Sequence, residues 1–182
     1  MKKGFTLIEL AIVLVIIGIL MGAILRGQAL IKSAKEKNFF SKLRYIASAE
    51  FTYLERMGRY AGDSSDPPDG IIDGTHSPPT SCDCSSITIS SNAWCQLVCQ
   101  QLLQLNDGRH IFNGTFSLQG GVAPYPNYNR INATRVPCWV AQSIDIKIDD
   151  GVSNSGNIRW DGGAYCPTDP NSANTLHWWF DR

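Results

Sequence analysis

Six cysteines are the residues of this chain whose type and spacing most directly suggest chemistry. They are Cys82, Cys84, Cys95, Cys99, Cys138 and Cys166. Cys95 and Cys99 lie four residues apart in a segment with helical spacing of apolar residues, where their Cβ atoms would be about 5–6 Å apart. A disulfide needs Cβ atoms roughly 3.5–4.5 Å apart, so each is expected to bond elsewhere. Cys82 and Cys84 are natural partners for that helix, and Cys138 and Cys166 remain to close the C-terminal region.

Metal binding is the alternative chemistry for these thiols. The pattern Cys-x-Cys followed by Cys-x3-Cys is poor spacing for a zinc site. An even number of cysteines in a region rich in Gly and Pro favours disulfides, and the compartment inferred below oxidises thiols. The sequence therefore predicts three disulfides, with the connectivity left open.

Two groups of aspartates offer the hard oxygen ligands that calcium prefers. The first lies in a turn-rich loop and consists of Asp63, Asp66, Asp69 and Asp73. The second lies further along the chain and consists of Asp145, Asp149 and Asp150. In the first group the EF-hand spacing fails, because Pro67 and His76 would fall at ligand positions. A solvated loop is the preferred interpretation, so no cofactor is predicted and calcium is the alternative that remains open.

Catalytic chemistry finds little support in the sequence. His76, His110 and His177 show no pairing with a nucleophile or with a metal-binding cluster. The chain has no Gly-x-Ser-x-Gly motif and no glycine-rich loop that would cradle a phosphate. With 16 basic and 16 acidic side chains the formal net charge is zero, so no nucleic-acid contact is evident. The sequence predicts a protein that is not an enzyme.

The elements that must position these residues begin with a long apolar run. From Phe5 to Leu25 the only polar side chains are Thr6 and Glu9. About 21 residues form a helix of roughly 31 Å, which matches the hydrocarbon core of a bilayer. Two lysines precede the run, so the N-terminus is expected in the cytoplasm and the rest of the chain across the membrane. A carboxylate inside a membrane helix is costly and is by default functional, which makes Glu9 a candidate site residue.

The N-terminal residues carry a family resemblance. The segment Lys-Lys-Gly-Phe-Thr-Leu-Ile-Glu-Leu at positions 2–10 resembles the prepilin signal of type IV pilins and type II secretion pseudopilins. The resemblance implies that a prepilin peptidase cuts between Gly4 and Phe5 and methylates the new amine of Phe5. It also implies that the apolar run stays in the mature protein as membrane anchor and filament core. Residues 144–151 with 154–156 are similar to a second segment common in prepilin-type proteins.

Glu9 then has a physical role in assembly. Cleavage at Gly4 leaves a cationic amine on Phe5, four residues before the Glu9 carboxylate. Between staggered neighbouring subunits, the amine of one chain can meet Glu9 of the next and neutralise both charges in an apolar medium. Such a pair would fix the register of a filament that assembles from the membrane. The alternative is an uncleaved signal anchor whose Glu9 extends toward the interface.

The helix is expected to continue into water. Apolar residues recur at helical spacing from Phe39 to Met57, with no proline before Pro67 and no strong break before Gly58. Four segments follow: a leader at residues 1–4, a membrane helix at 5–25, its amphipathic continuation at 26–58, and an extracytoplasmic domain at 59–182. In that domain a helix is predicted over 93–105 and strands over 86–90, 111–118, 157–160 and 176–180, while 139–148 fits either element. The expected fold is α+β and pilin-like, a long helix packed on a small antiparallel sheet with disulfides.

Three functions are consistent with these features. The first is a structural subunit of a type IV pilus or pilus-like filament, and the second is a pseudopilin that drives protein export in a type II secretion system. The third is a minor pilin at the filament tip that binds a ligand and serves adhesion. The expected partners are other pilin or pseudopilin subunits, the prepilin peptidase and an inner-membrane assembly platform. The expected location is the inner membrane in a single pass with a periplasmic domain, and a filament after assembly.

Overall fold

A computed structural model gives the fold for residues 7–73, 92–166, 169 and 172–182. The chain divides into two compact units between Lys37 and Asn38. The first unit is helical throughout its described residues, and the second contains a helix-and-sheet domain. The predicted strand over 86–90 lies outside the described residues.

The first helix, α1, runs from Leu7 to Met57, as the apolar spacing and the absence of proline predict. It ends at Gly58, whose φ of +73° is accessible to glycine at little cost and whose N–H donates to the Leu54 carbonyl at 2.8 Å. In the second unit one face of α1 is buried. Its buried residues are Phe39, Leu43, Ile46, Ala47, Ala49, Glu50 and Tyr53.

A four-stranded antiparallel sheet forms the other layer of the domain. Its strands are β1 (Phe116–Val122), β2 (Tyr125–Pro137), β3 (Ile158–Trp160) and β4 (Ala173–Trp179), in the spatial order β1-β2-β4-β3. Phe39 of α1 stacks on Phe116 of β1 with ring centroids 5.6 Å apart. Both belong to one core cluster with Ile131 and Leu176 from the neighbouring strands. The expected pilin-like α+β fold is confirmed.

Two shorter helices flank the sheet. The second helix, α2, spans Asn92–Cys99, and the third, α3, spans Cys138–Ile148. The apolar spacing of four decides the ambiguity over 139–148 in favour of a helix: Ile144 is buried, whereas Ile146, which a strand pattern would place on the same face, is 62% exposed. A 3₁₀ helix follows α2 at Leu105–Gly108.

Two sequence predictions fail at element boundaries. The helix expected over 93–105 stops at Cys99, because Gln101 adopts a φ of +57° and Leu102 N–H donates back to the Leu97 carbonyl at 3.0 Å, which closes the helix end. The strand expected over 111–118 begins at Phe116, because residues 110–113 form a turn with Asn113 at a φ of +58°. β2, with 13 residues the longest strand, is not predicted by its sequence.

Candidate functional site

The apolar half of α1 is the largest feature without a place in the core. Its side chains are exposed around the whole helix, from Ile17 at 45% to Leu7 at 89%. Its most apolar window has a mean hydropathy of 2.9 and no buried residue. By length and composition this helix can cross a membrane, and among the described residues it is the one that can. Such a surface is stable only against lipid or other apolar chains.

Glu9 lies in the first turn of this apolar helix. Its side chain is exposed, and its spacing places it on one face with Ile12 and Val13. A carboxylate in the first turn is favoured by the partial positive charge at a helix N-terminus. Gly4 and Phe5, the predicted cleavage and methylation residues, lie outside the described residues, so their roles stay predictions.

Three glycines give the apolar helix places for close approach. A Cβ atom added at Gly18, Gly22 or Gly27 would meet no atom within 4 Å, so packing within the chain does not require glycine there. Gly18 and Gly22 are four residues apart and lie on one face, a spacing that allows two membrane helices to approach closely. Close helix packing at these glycines stays a prediction, and glycines that a membrane helix merely tolerates are the alternative.

Disulfides cross-link the domain that follows the apolar segment. Cys138 and Cys166 are bonded to each other, which joins the start of α3 to the segment after β3. Cys95 and Cys99 are both disulfide-bonded, yet their sulfur atoms lie 3.8 Å apart, so they do not bond to each other. Cys82 and Cys84, their predicted partners, lie outside the described residues.

Aspartates of the first group accept hydrogen bonds from residues of their own loop. Asp69 accepts a hydrogen bond from the Ile71 N–H at 2.9 Å, and Asp73 accepts one from the Ser64 N–H at 3.1 Å. Asp63 is fully buried and accepts the backbone N–H of Gly70 at 2.9 Å. Within the part of the chain that the structure describes, Asp66, Asp69 and Asp73 are not gathered into a cluster that could hold a metal ion.

The second aspartate group is gathered. Carboxylate oxygens of Asp145, Asp149 and Asp150 lie within 4.8 Å of one another. Asp145 accepts the Tyr165 O–H at 2.7 Å, and Asp149 accepts the Ile158 N–H at 2.7 Å. Burial raises the pKa of Asp145, although the bond from Tyr165 opposes that shift.

The third carboxylate of this group, that of Asp150, accepts hydrogen bonds within its own loop. It accepts the Val152 N–H at 2.8 Å and the Ser155 O–H at 2.5 Å. These bonds, chiefly the one from Ser155, lower the pKa of Asp150. The three carboxylates thus shape the turn from α3 to β3, and calcium binding there stays the open alternative to the prediction of no cofactor.

A cluster of arginines and aromatic rings lies on the face of the sheet that points away from the core. This arginine–aromatic patch consists of Tyr125, Arg130, Arg159, Trp179 and Arg182. Trp179 lies outside the core cluster yet is only 2% exposed. The guanidinium carbons of Arg130 and Arg159 lie 5.4 and 5.8 Å from the centre of its ring. The arginines therefore cover the indole.

Tyr125 is the second aromatic ring of the arginine–aromatic patch that arginines cover. The guanidinium carbons of Arg182 and Arg159 lie 3.8 and 5.0 Å from its ring centre. Arg159 also donates a hydrogen bond to the Tyr125 hydroxyl at 3.0 Å. Sequence reasoning missed this patch, because its residues come from three strands and the C-terminal segment and meet only through the register of the sheet.

The two histidines in the described part of the chain have structural partners. His110 is buried, its Nε2 lies 2.8 Å from the Thr134 carbonyl oxygen, and burial lowers its pKa. The ring nitrogens of His177 lie 2.7 Å from Asn132 Oδ1 and 2.8 Å from Asp161 Oδ1. Neither histidine contacts a side-chain hydroxyl or thiol among the described residues, so the geometry supplies no nucleophile and base pair there.

Comparison with known proteins identifies the N-terminal segment. Residues 1–25 match the family model of the prokaryotic N-terminal methylation motif. No curated protein and no solved structure matches the chain. The match covers the leader and the apolar run, the segment that contains Glu9 and two of the three glycines.

Proposed function

We propose that this chain, which bears the methylation signal of the type IV pilin and pseudopilin family at residues 1–25, is a structural subunit of a type IV pilus or pilus-like filament. It is inserted in the inner membrane, processed by a prepilin peptidase at Gly4, and polymerised through its N-terminal helix. The peptidase, the assembly platform and neighbouring subunits are its partners.

The observation that carries this proposal is the apolar half of α1. It is exposed around its whole circumference, it carries the carboxylate of Glu9 in its first turn, and it coincides with the methylation motif. An anchor that only held the domain at the membrane would gain nothing from a carboxylate, which opposes insertion. In a polymerising helix the carboxylate fixes the axial alignment of neighbouring subunits. Glu9 meets the cationic Phe5 amine of the next subunit at only one axial offset.

The amphipathic half of α1 supports the same proposal. From Phe39 onward the helix buries one face in the domain, so the domain and the assembling helix share a continuous element. Disulfides such as Cys138–Cys166 suit a domain that works outside the cytoplasm, where thiols are oxidised.

The experiment that tests this function follows the chain into filaments. In cells that produce it with a complete assembly machinery, filaments sheared from the surface should contain the chain and label with antibody against residues 38–182. A chain that stays in the membrane fraction while filaments form without it would contradict the proposal. Loss of protein export on deletion, with no surface filaments, would assign it to a type II secretion system instead.

A further inference from the structure

The three arginines of the arginine–aromatic patch form no ion pair among the described residues. Among the described residues, no carboxylate oxygen lies within 4.0 Å of the Arg130, Arg159 or Arg182 side-chain nitrogens. The three guanidinium groups instead donate to neutral acceptors: Gln119 Oε1 at 3.0 Å, the Tyr125 hydroxyl at 3.0 Å and Asn157 Oδ1 at 2.9 Å. An arginine has five N–H donors, so each keeps donors that these bonds do not use.

The nearby acids lower the positive charge of the patch but form no ion pair with its arginines among the described residues. Asp161, which acts electrostatically on Arg130, is hydrogen-bonded through its Oδ1 to His177 at 2.8 Å. Asp150 feels the charge of Arg159 weakly, and its oxygens accept bonds within their own loop. The three guanidinium groups therefore keep N–H donors that can bind an external anion.

The aromatic rings hold the arginines in position. Guanidinium groups stacked on Trp179 and Tyr125 lose fewer conformations on binding than free arginine side chains do. Arginine forks held in this way suit carboxylates, which they bind with two parallel hydrogen bonds. The same rings are closed to stacking by a ligand, because Trp179 is 2% exposed and Tyr125 has guanidinium groups over it.

The closed rings argue against a single-stranded nucleic acid. Proteins that bind single strands offer open aromatic faces on which bases stack. Neutral hydrogen-bonding groups border the arginines on the same face, namely Gln119, Asn132 and Ser117. Amides and hydroxyls of this kind suit sugar hydroxyls.

We propose that the arginine–aromatic patch binds an acidic polysaccharide, with Arg130, Arg159 and Arg182 holding its carboxylates and the neighbouring amides holding its hydroxyls. This inference concerns the domain surface and does not depend on the filament role. A subunit displayed outside the cell would reach such polymers on cell surfaces or in a matrix.

The test uses the full-length chain in lipid nanodiscs and measures binding to polygalacturonate, neutral dextran and oligo-dT. Polygalacturonate should bind most tightly, with an affinity that falls as salt is added. Arg159→Gln and Arg182→Gln should each weaken that binding by roughly tenfold or more, because each removes charge-assisted hydrogen bonds. Arg182 is exposed, so its variant is expected to keep the fold, which thermal melting checks.

Arg44→Gln is the matched control, because Arg44 also stacks on an aromatic ring, Phe40 at 4.4 Å, but lies on α1. It should leave binding unchanged. Absence of polygalacturonate binding, equal losses in the control and the patch variants, or tighter binding of oligo-dT would each overturn the proposal.

Discussion

At the scale of single residues, the charge of Glu9 is the feature that most sharply separates an assembling helix from an anchor. Glu9→Gln keeps the shape of the side chain and removes its charge. Insertion and cleavage should persist, since a neutral side chain eases membrane insertion. Breaking a buried ion pair costs about 3–5 kcal/mol, so the yield of filaments should fall by more than about tenfold.

The measurement compares the cleaved fraction in the membrane with the amount of chain in sheared filaments. Glu55→Gln, an exposed glutamate of the same helix, is the control and should assemble normally. Filaments at normal yield from Glu9→Gln would mean that the carboxylate takes no part in assembly.

Glu50 is a second residue whose environment sets its behaviour. It is fully buried on α1; one oxygen accepts the Ala61 N–H at 3.0 Å, while Oε1 is buried without a hydrogen-bond partner. Burial raises its pKa well above the ordinary value of 4.5, and the nearby Asp181 adds to the rise. Tyr53 and Tyr60 are near enough for the charge of Glu50 to raise their pKa values, and Arg59 acts on Tyr53 with the opposite sign.

The raised pKa of Glu50 determines how the stability of the fold changes with pH. A raised pKa favours the protonated carboxyl in the folded state, so this stabilisation is complete below the unfolded pKa near 4.5 and is lost as pH rises through the folded value. Glu50→Gln removes the ionisation. Above the folded pKa it should therefore melt at a higher temperature than the wild-type chain, and near pH 4 the difference should disappear.

Each pKa unit corresponds to about 1.4 kcal/mol, and each kcal/mol to about 2–8 °C in a domain of this size range. Thermal melting between pH 4 and pH 8 measures the effect, with Glu55→Gln as the exposed control. A melting difference that does not change with pH would show that the pKa of Glu50 is not raised in the folded state.

At the scale of elements, the Cys138–Cys166 disulfide holds α3 to the segment that follows β3, across a sequence separation of 28 residues. Closing a loop of that length contributes about 2–4 kcal/mol. Replacing both cysteines with serine should lower the free energy of unfolding by that amount, measured by denaturant titration of the unreduced chain. An unchanged midpoint would indicate that the α3 packing alone holds this region.

The elements also explain what the sequence could predict. α1 was predictable because apolar residues from Phe39 to Tyr53 repeat at helical spacing and Gly58 ends the run. β2 was not, because its buried positions include Asn129 and Ala133, so its apolar alternation is weak. The arginine–aromatic patch depends on that unpredicted strand, since the register of β2 with β4 places Arg130 beside Trp179.

The two aspartate groups illustrate the same limit. Their composition suggested calcium at both places, but only the fold decides which carboxylates meet. It gathers Asp145, Asp149 and Asp150, and it directs Asp69 and Asp73 to backbone and side-chain donors of their own loop. In the second group the helical spacing of four places Asp149 near Asp145 at the end of α3, and the turn that follows adds Asp150.

At the scale of the whole molecule, a filament subunit must keep its apolar helix after processing. A secretory signal would be removed with the apolar run and release the domain. A prepilin-type signal instead loses only its short leader. Under the proposed function, the mature protein would remain in the membrane with Glu9 near its new N-terminus and would enter a filament from there.

The most direct measurement is the intact mass of the chain recovered from membranes that contain a prepilin peptidase. The mass should correspond to residues 5–182 with one added methyl group, and fragmentation should place that group on the amine of Phe5. A chain that still begins at Met1, or one that starts after the apolar run, would contradict the account.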